Sequence, residues 1–455
     1  MNSFVNRISA RFFKDKAVGV FQEPHVSQPW RVAVALCVVA AAWNWSHSWF
    51  AAPRKDYQVE GYVHPAFEEV RDVFKESLAS GAEGGASFSV HHQGQVLVDI
   101  WGGRADPTTG ALWQRDTLSQ AWSCTKGLAA VSLAMLVDRG LLDYEELVTK
   151  YWPEFHQNGK DNITVGTLFS HRAGLISLGR QISLQEYRDN WPEIERLLAA
   201  AKPAWNPGSH YMYHAFTFGM YADAVVRKVD PKHRNISQFA REELAEPLGL
   251  DYYIGLPFDQ HYRATKAEYV SMIRLFLSTV LLRPERWHWL PEALFGNRLQ
   301  DSVSVLDIYD DMSLMEDPEL RSIGLASMVG FGNARSLARL YDFIGNNGSV
   351  QGKRLLSEEQ IKYLTMPATV NASVIVAPDE DFTMGLIDAK IHGRRIAGHN
   401  GYGGQSGFAD AEAGIGVGYV TNFNSVYADR FDPRMLNLMQ AFYNGFSKYR
   451  ALKSN

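Results

Sequence analysis

Segments rich in β-forming residues lie at both ends of the stretch from about 60 to 450, and the chain between them is mostly helical. These segments are 86–92, 95–101, 396–398, 408–410 and 414–420. The first two flank Gln93-Gly94, and two strands around a glycine turn predict a hairpin. Because strands need neighbours, the spacing predicts one sheet built from distant parts of the chain. Residues 60–450 then form one two-lobed domain, with the helical stretch as an insertion, rather than three domains.

The composition of the 455-residue chain is that of a folded protein with a large core, since 46% of its residues are hydrophobic and 21% charged. A net charge of −5 gives no basic surface for phosphates, so we expect no nucleic-acid partner. Only Cys37 and Cys124 are present, which excludes a disulfide framework and cysteine-rich zinc modules. The 14 histidines show no metal-ligand spacing, so we expect no metal or other cofactor.

An uncharged segment near the N-terminus predicts a membrane anchor. Residues 1–31 are polar and basic, and residues 32–52 contain no charged side chain. About 20 such residues can cross a hydrocarbon core of about 30 Å as a helix. The preceding basic residues predict a cytoplasmic N-terminus and a lumenal or extracellular domain. The alternative is a buried helix, because Asn44 and His47 dilute the apolar character.

Two further features bear on the location of the chain. The sequons N-x-[ST] favour a lumenal or extracellular glycoprotein. They begin at Asn44, Asn162, Asn235, Asn347 and Asn371. In the first 12 residues, however, apolar side chains share one helical face beside two arginines, and no acid is present. Such a segment is typical of a mitochondrial presequence, so a mitochondrial location is the alternative.

Ser123 and Lys126 carry the clearest chemical signal in the chain. They lie in Ala121-Trp122-Ser123-Cys124-Thr125-Lys126-Gly127, where a helix is predicted to begin, and residues three apart share a helical face. A serine hydroxyl becomes a good nucleophile when a neighbouring base takes its proton. A lysine amine can be that base once burial lowers its pKa. The free N–H groups of the helix N-terminus can stabilise an oxyanion.

Taken alone, the serine–lysine spacing is a weak signal, because about one or two S-x-x-K matches are expected by chance in such a chain. The alternative is an N-cap serine followed by a solvated lysine. Three further segments favour catalysis over this alternative. They are Trp205-Asn206-Pro207-Gly208-Ser209-His210-Tyr211-Met212-Tyr213, Ser170-His171-Arg172-Ala173-Gly174-Leu175 and Gly398-His399-Asn400-Gly401-Tyr402-Gly403-Gly404.

The four ordered segments together resemble the serine β-lactamase and penicillin-binding-protein superfamily, over about residues 65–445. The similarity is greatest to its class C and esterase branch and to animal β-lactamase-domain proteins. The resemblance implies an α+β fold, with a largely antiparallel sheet flanked by helices and an inserted helical lobe. It also implies that Ser123 is the nucleophile and that Lys126 and Tyr213 move its proton. His171 matches a segment that supports a loop in the family.

The third motif of the family, K-T-G or H-x-G, matches His399-Asn400-Gly401. The resemblance implies that His399, Gly401 and Tyr402 bind the substrate or its oxyanion, with the Tyr402 N–H completing the oxyanion hole. The chain departs from the family at two positions. Tyr213 matches the tyrosine of the family's second motif, Y-x-N, but Ala215 stands where that motif has an asparagine. His399 stands where the third motif has a lysine, so the positive charge at this position is weaker near neutral pH. The departures predict an ester or peptide substrate without a free carboxylate.

The sequence therefore predicts a membrane-anchored serine hydrolase that acts on an ester or amide through an acyl-enzyme. Its expected partners are a small-molecule or peptide substrate, the membrane and a second copy of the chain. Simpler interpretations stay open at this stage, because Tyr213 is also compatible with a core aromatic and His399 with the end of a strand. A catalytically silent scaffold or polymer-forming protein is the alternative function, since a fold does not determine a function.

Overall fold

The computed structural model describes residues 58–269, 297–370, 372–374, 381–425 and 431–453, without the side chains of 309, 310, 452 and 453. In chain order the strands are β1 Val59–Val63, β2 Gly85–His92, β3 Gln95–Gly103, β4 Ser119–Gln120, β5 His210–Tyr211, β6 Tyr252–Ile254, β7 Gly330–Gly332, β8 Ser349–Val350, β9 Lys353–Arg354, β10 Ser373–Val374, β11 Asp381–Phe382, β12 Ile387–Ile391, β13 Arg394–Gly401, β14 Gln405–Asp410 and β15 Ile415–Thr421.

The helices of the same residues are mostly short. In chain order they are α1 Glu68–Ala79, α2 Thr125–Asp138, α3 Val148–Tyr151, α4 Val165–Phe169, α5 Leu184–Asp189, α6 Trp191–Ala200, α7 Thr217–Val229, α8 Ile236–Ala240, α9 Glu246–Leu248, α10 Arg298–Val303, α11 Pro318–Arg321, α12 Ala334–Gly345, α13 Glu358–Thr365 and α14 Pro433–Lys453. A π-helical turn, Arg241–Ala245, joins α8 to α9.

Strands from both ends of the described chain form one antiparallel sheet, in the order β1-β3-β2-β15-β14-β13-β12-β11. The predicted hairpin is β2–β3, which pairs through β2 with β15. Its turn residues Gln93 and Gly94 have φ of 52° and 81°, the turn geometry that matches strand twist. The α+β fold with a largely antiparallel sheet is confirmed.

Helices cover both faces of this sheet. On one face α1 packs against α14, and Phe67, directly before α1, stacks on Phe442 of α14 with 4.6 Å between ring centroids. On the other face α12 packs against β2, β14 and β15. A Cβ on Gly416 of β15 would lie 2.0 Å from the Asp342 nitrogen of α12, so only glycine allows this close approach.

The helical lobe is inserted between β3 and the C-terminal strands, and α2 runs through its core. Every residue of α2 from Thr125 to Leu136 is buried. A helix that is apolar on all sides is typical of such a central position. Beside it, β4, β7 and β6 form a three-stranded antiparallel sheet, so the N-terminal end of α2 lies close to both sheets.

The predicted single-pass membrane location is wrong. Within the described ranges no helix combines the length and apolarity needed to cross a bilayer. The segments 1–31 and 32–52, on which the anchor and the mitochondrial alternative were predicted, lie outside those ranges. One predicted glycosylation site has a structural use, because the Asn235 side chain accepts a hydrogen bond from the Gln238 N–H at 2.8 Å and caps α8.

Candidate active site

The segment that carries Ser123 enters α2 through a strained turn. Residues Trp122–Cys124 form a 3-10 turn directly before α2, and Trp122 has a φ of +47°, which bulky residues rarely adopt. The Thr125 hydroxyl donates to the Trp122 carbonyl at 2.5 Å, and the Ala121 N–H donates to the Gly330 carbonyl at 2.8 Å. Strain of this kind persists only where the surroundings hold it. The turn therefore fixes the direction of the Ser123 side chain.

The Ser123 hydroxyl contacts an amine and a phenol. Lys126 Nζ lies 3.1 Å from Ser123 Oγ, and the Tyr213 OH donates to Ser123 Oγ at 2.8 Å. Lys126 Nζ also lies 4.8 Å from the centroid of the Tyr213 ring. The structure thus brings together the three side chains that the sequence analysis selected as catalytic, and both distances to Ser123 Oγ allow proton transfer.

Lys126 is completely buried, and this burial changes the basicity of its amine. Desolvation lowers the pKa of its amine well below 10.5, because the charged form loses its hydration. Nζ also donates to the Ser327 carbonyl at 2.8 Å. A neutral amine keeps a lone pair, so Lys126 can accept the proton of Ser123.

Aromatic rings hold Tyr213 in place. Its ring stacks on Phe382 with 5.8 Å between centroids and an interplanar angle of 9°. The His171 ring lies 5.1 Å away on another side, and His171 Nδ1 accepts a hydrogen bond from the His214 N–H at 3.1 Å. His171 therefore supports the segment that carries Tyr213, which agrees with the loop-supporting role expected for it.

Two residues near the site had no sequence signal. Ser327 is held at the start of α7, because its hydroxyl donates to the Phe216 carbonyl at 2.5 Å and accepts from the Gly219 N–H at 2.7 Å. Its carbonyl is thereby held beside Lys126. Phe382 supports Tyr213 from β11. Both act through tertiary contacts between segments that are far apart in the chain, and neither belongs to a local motif.

His399 lies near the end of β13 and is 1% exposed. Burial is the main cause that lowers the pKa of its imidazole to about 3, so the ring is neutral at physiological pH. Its Nδ1 donates to the Asn400 carbonyl at 2.5 Å, and its ring centroid lies 5.8 Å from that of Tyr213. The site thus contains a neutral ring where the family motif places a lysine.

The end of β13 lies against the Ser123 turn. A Cβ on Gly401 would lie 2.4 Å from the Ala121 carbonyl oxygen, so the backbones approach as closely as glycine allows. The next residue, Tyr402, packs its ring edge-on against Trp122, with 5.2 Å between centroids. The predicted binding residues His399, Gly401 and Tyr402 therefore lie beside the serine that they are expected to serve.

Ala215, the second departure from the family pattern, offers no hydrogen-bonding side chain and packs against the core of the helical lobe. In the part of the chain that the structure describes, no group of three or more His, Cys, Asp or Glu side chains could hold a metal ion. The described site therefore consists of a hydroxyl, an amine, a phenol, a neutral imidazole and backbone N–H groups.

Comparison with known proteins identifies the family to which the chain belongs. The family model "Beta-lactamase" matches residues 70–440. The "Esterase/beta-lactamase LipL" of Mycobacterium tuberculosis is 32% identical over 378 residues, which cover 81% of this chain and 84% of the relative. The chain belongs to the beta-lactamase family.

Solved structures agree with this assignment. A family VIII carboxylesterase has a TM-score of 0.73 and 31% identity, covering 85% of this chain and 100% of that one. A penicillin-binding protein homologue from Caulobacter crescentus has a TM-score of 0.71 and 29% identity, with coverage of 85% and 100%. The protein is a serine hydrolase of the esterase/beta-lactamase type.

Proposed function

We propose that this hydrolase cleaves esters or amides through an acyl-enzyme on Ser123, with Lys126 and Tyr213 as the groups that move the proton. One observation supports this most directly: Ser123 Oγ lies 3.1 Å from Lys126 Nζ and 2.8 Å from the Tyr213 OH. A buried amine of lowered pKa is the base that a serine nucleophile requires.

In the proposed acylation step, Ser123 Oγ attacks the substrate carbonyl carbon and its proton passes to the amine of Lys126. The Ser123 and Tyr402 N–H groups stabilise the oxyanion. The carbonyl reforms, the bond to the leaving group breaks, and the Tyr213 OH gives its proton to the leaving oxygen or nitrogen while regaining one from Lys126. Water then attacks the acyl carbon and loses a proton to the same pair. The bond to Ser123 Oγ breaks, the pair returns the proton to Oγ, and the acid is released.

The neutral His399 supports a substrate that carries no free carboxylate beside the scissile bond. A carboxylate would have to be desolvated there without a cationic partner. Within the family we place the chain in the class C and esterase branch, near the animal β-lactamase-domain proteins, with a peptide or small-molecule ester or amide as substrate. We also retain a homo-oligomer as a prediction.

The substrate preference is tested with two esters of similar length. We expect kcat/KM for p-nitrophenyl butyrate to exceed that for p-nitrophenyl hemiglutarate, which ends in a carboxylate, by about tenfold or more, equivalent to about 1.4 kcal/mol. The measurement is initial-rate kinetics at pH 7.5 and low salt. Equal or faster hydrolysis of the charged ester would contradict a neutral His399 environment.

The nucleophile is tested with a fluorophosphonate probe on the full chain. We expect one adduct per protein molecule, and peptide mapping should place it on Ser123. Ser132 is an internal control, because it lies buried in the same helix with its hydroxyl donating to the Leu128 carbonyl at 2.8 Å. An adduct on another residue refutes Ser123 as the nucleophile. Absence of any adduct would favour the silent scaffold instead.

A further inference from the structure

The loop that follows β13 has an unusual backbone. Residues Tyr402–Gly404 form a short 3-10 segment in which Gly403 and Gly404 have φ of 82° and 110°. Such conformations are open to glycine, and glycine leaves the chain free to adopt others. The position of the Tyr402 N–H therefore depends on what holds Gly403 and Gly404 from outside.

A buried arginine holds this loop. Arg434 Nη2 donates to the Gly403 carbonyl at 3.3 Å, and the Ser425 N–H donates to the same oxygen at 3.0 Å. Asp432 lies against the next residue, since a Cβ on Gly404 would be 2.6 Å from Asp432 Oδ2. The Asp432 carboxylate in turn accepts two hydrogen bonds from the Arg434 guanidinium, each 2.9 Å.

The guanidinium is itself fixed by other segments. Its side chain is 11% exposed, Nη1 donates to the Phe423 carbonyl at 2.9 Å, and Nη1 lies 3.1 Å from Glu83 Oε2. Glu83 also accepts a hydrogen bond from the Thr421 hydroxyl at 2.7 Å. Arg434 thus joins the loop to Glu83, two residues before β2, and to Phe423, two residues after β15. The planar, five-donor guanidinium suits such a junction better than an ammonium group.

We propose that Arg434, oriented by Asp432, is a positioning residue that holds the Tyr402 N–H in place for the oxyanion. The inference rests on the proposed function of Ser123. Arg434 does not touch the substrate and acts only through the Gly403 carbonyl. The Trp122 ring packs against the Tyr402 ring, and Arg434 holds the carbonyl of the next residue, Gly403. A displacement of about 1 Å in such a group can lower a rate by about 10²-fold.

The test is Arg434→Lys, which keeps a positive charge for Glu83 and Asp432 but loses the fork that reaches Gly403. The matched control is Arg394→Lys. Arg394 begins β13, whereas the loop follows its end, and Arg394 Nε donates to the buried Asp410 at 2.5 Å. Both changes weaken an arginine–aspartate pair, but only one of the two pairs contacts the loop.

We expect Arg434→Lys to lower kcat for p-nitrophenyl butyrate by about 10- to 100-fold, with KM within about twofold. The inhibition constant of phenylboronic acid, whose tetrahedral adduct needs the same N–H groups, should rise by a similar factor. Arg394→Lys should leave all three values within about twofold. A merely structural role would lower the folded fraction, and with it the apparent kcat, but would leave the inhibition constant unchanged.

The proposal is overturned if Arg434→Lys matches Arg394→Lys in kcat and in the inhibition constant, or changes KM alone. If Arg434→Lys does not fold, Asp432→Asn is measured in its place with the same expectation and the same criterion. Ser123→Ala separates the two levels of the argument. Activity that survives Ser123→Ala contradicts the proposed function, whereas activity lost there but kept in Arg434→Lys contradicts only the positioning role.

Discussion

Replacing Lys126 by methionine is expected to lower kcat/KM for an ester by about 10²–10⁴-fold, the usual contribution of a general base. Methionine has a similar length and suits the buried environment of α2, but it has no lone pair that can take the Ser123 proton. The same change is expected to raise the melting temperature. The two effects are measured by initial-rate kinetics and thermal unfolding on one preparation.

The sign of the stability effect follows from the pKa of Lys126. Burial lowers this pKa in the folded state, whereas the unfolded chain retains a value near 10.5. At pH values between these two pKa values the unfolded state binds more protons than the folded state. The free energy of unfolding therefore falls as the pH falls below 10.5, and this cost to stability is present at neutral pH. Removing the amine removes that cost. The wild-type kcat/KM should likewise fall as acid protonates Lys126.

Lys160→Met is the matched control for this prediction. Lys160 is as buried as Lys126, but its Nζ donates to the Ala199 and Ala201 carbonyls at the end of α6, each at 2.7 Å. Its removal leaves two carbonyls without their donor, whereas Lys126 donates to only one, the Ser327 carbonyl. We therefore expect lower stability and unchanged kcat/KM for Lys160→Met. If Lys126→Met were as active as Lys160→Met, Lys126 would not be the base.

Removing the Tyr213 hydroxyl is expected to have the second largest effect. Tyr213→Phe keeps the ring that stacks on Phe382 but loses the OH that lies 2.8 Å from Ser123 Oγ. We expect kcat/KM to fall by about 10²–10³-fold, because the leaving group loses its proton donor. The fall should be smaller for p-nitrophenyl esters, whose leaving group needs little protonation, than for alkyl esters.

Tyr221→Phe controls for the loss of a buried phenol. The Tyr221 OH donates to the Leu198 carbonyl at 3.0 Å inside the helical lobe, away from Ser123. This variant should lose some stability and keep its activity. If Tyr213→Phe and Tyr221→Phe hydrolyse alkyl esters at the same rate, Tyr213 is a core aromatic, which was the alternative left open by the sequence.

The parts of the fold that the sequence predicted are those that depend on local patterns of residues. The Gln93-Gly94 turn, the two strands around it and the helix after Ser123 each depend on neighbouring residues, and each is present. The meeting of Ser123 with Tyr213 was predicted from the resemblance of ordered motifs, since no local rule relates residues 90 positions apart.

Contacts between distant segments account for what the sequence did not predict. Ser327, Phe382 and Arg434 belong to no motif, and their roles depend on which carbonyl or ring the fold places beside them. The predicted membrane location was wrong. It was based on the uncharged run 32–52, on the basic residues before it and on the sequons. These are sequence patterns that do not by themselves require a bilayer.

The acyl-enzyme is the central claim, and rapid-quench mass spectrometry tests it most directly. The full chain is mixed with p-nitrophenyl butyrate and quenched in acid within milliseconds to seconds. We predict a protein species heavier by one butyryl group, carried on the peptide that contains Ser123, present in the Ser132→Ala variant and absent from Ser123→Ala. Hydrolysis that continues in Ser123→Ala without any acylated protein would contradict the account.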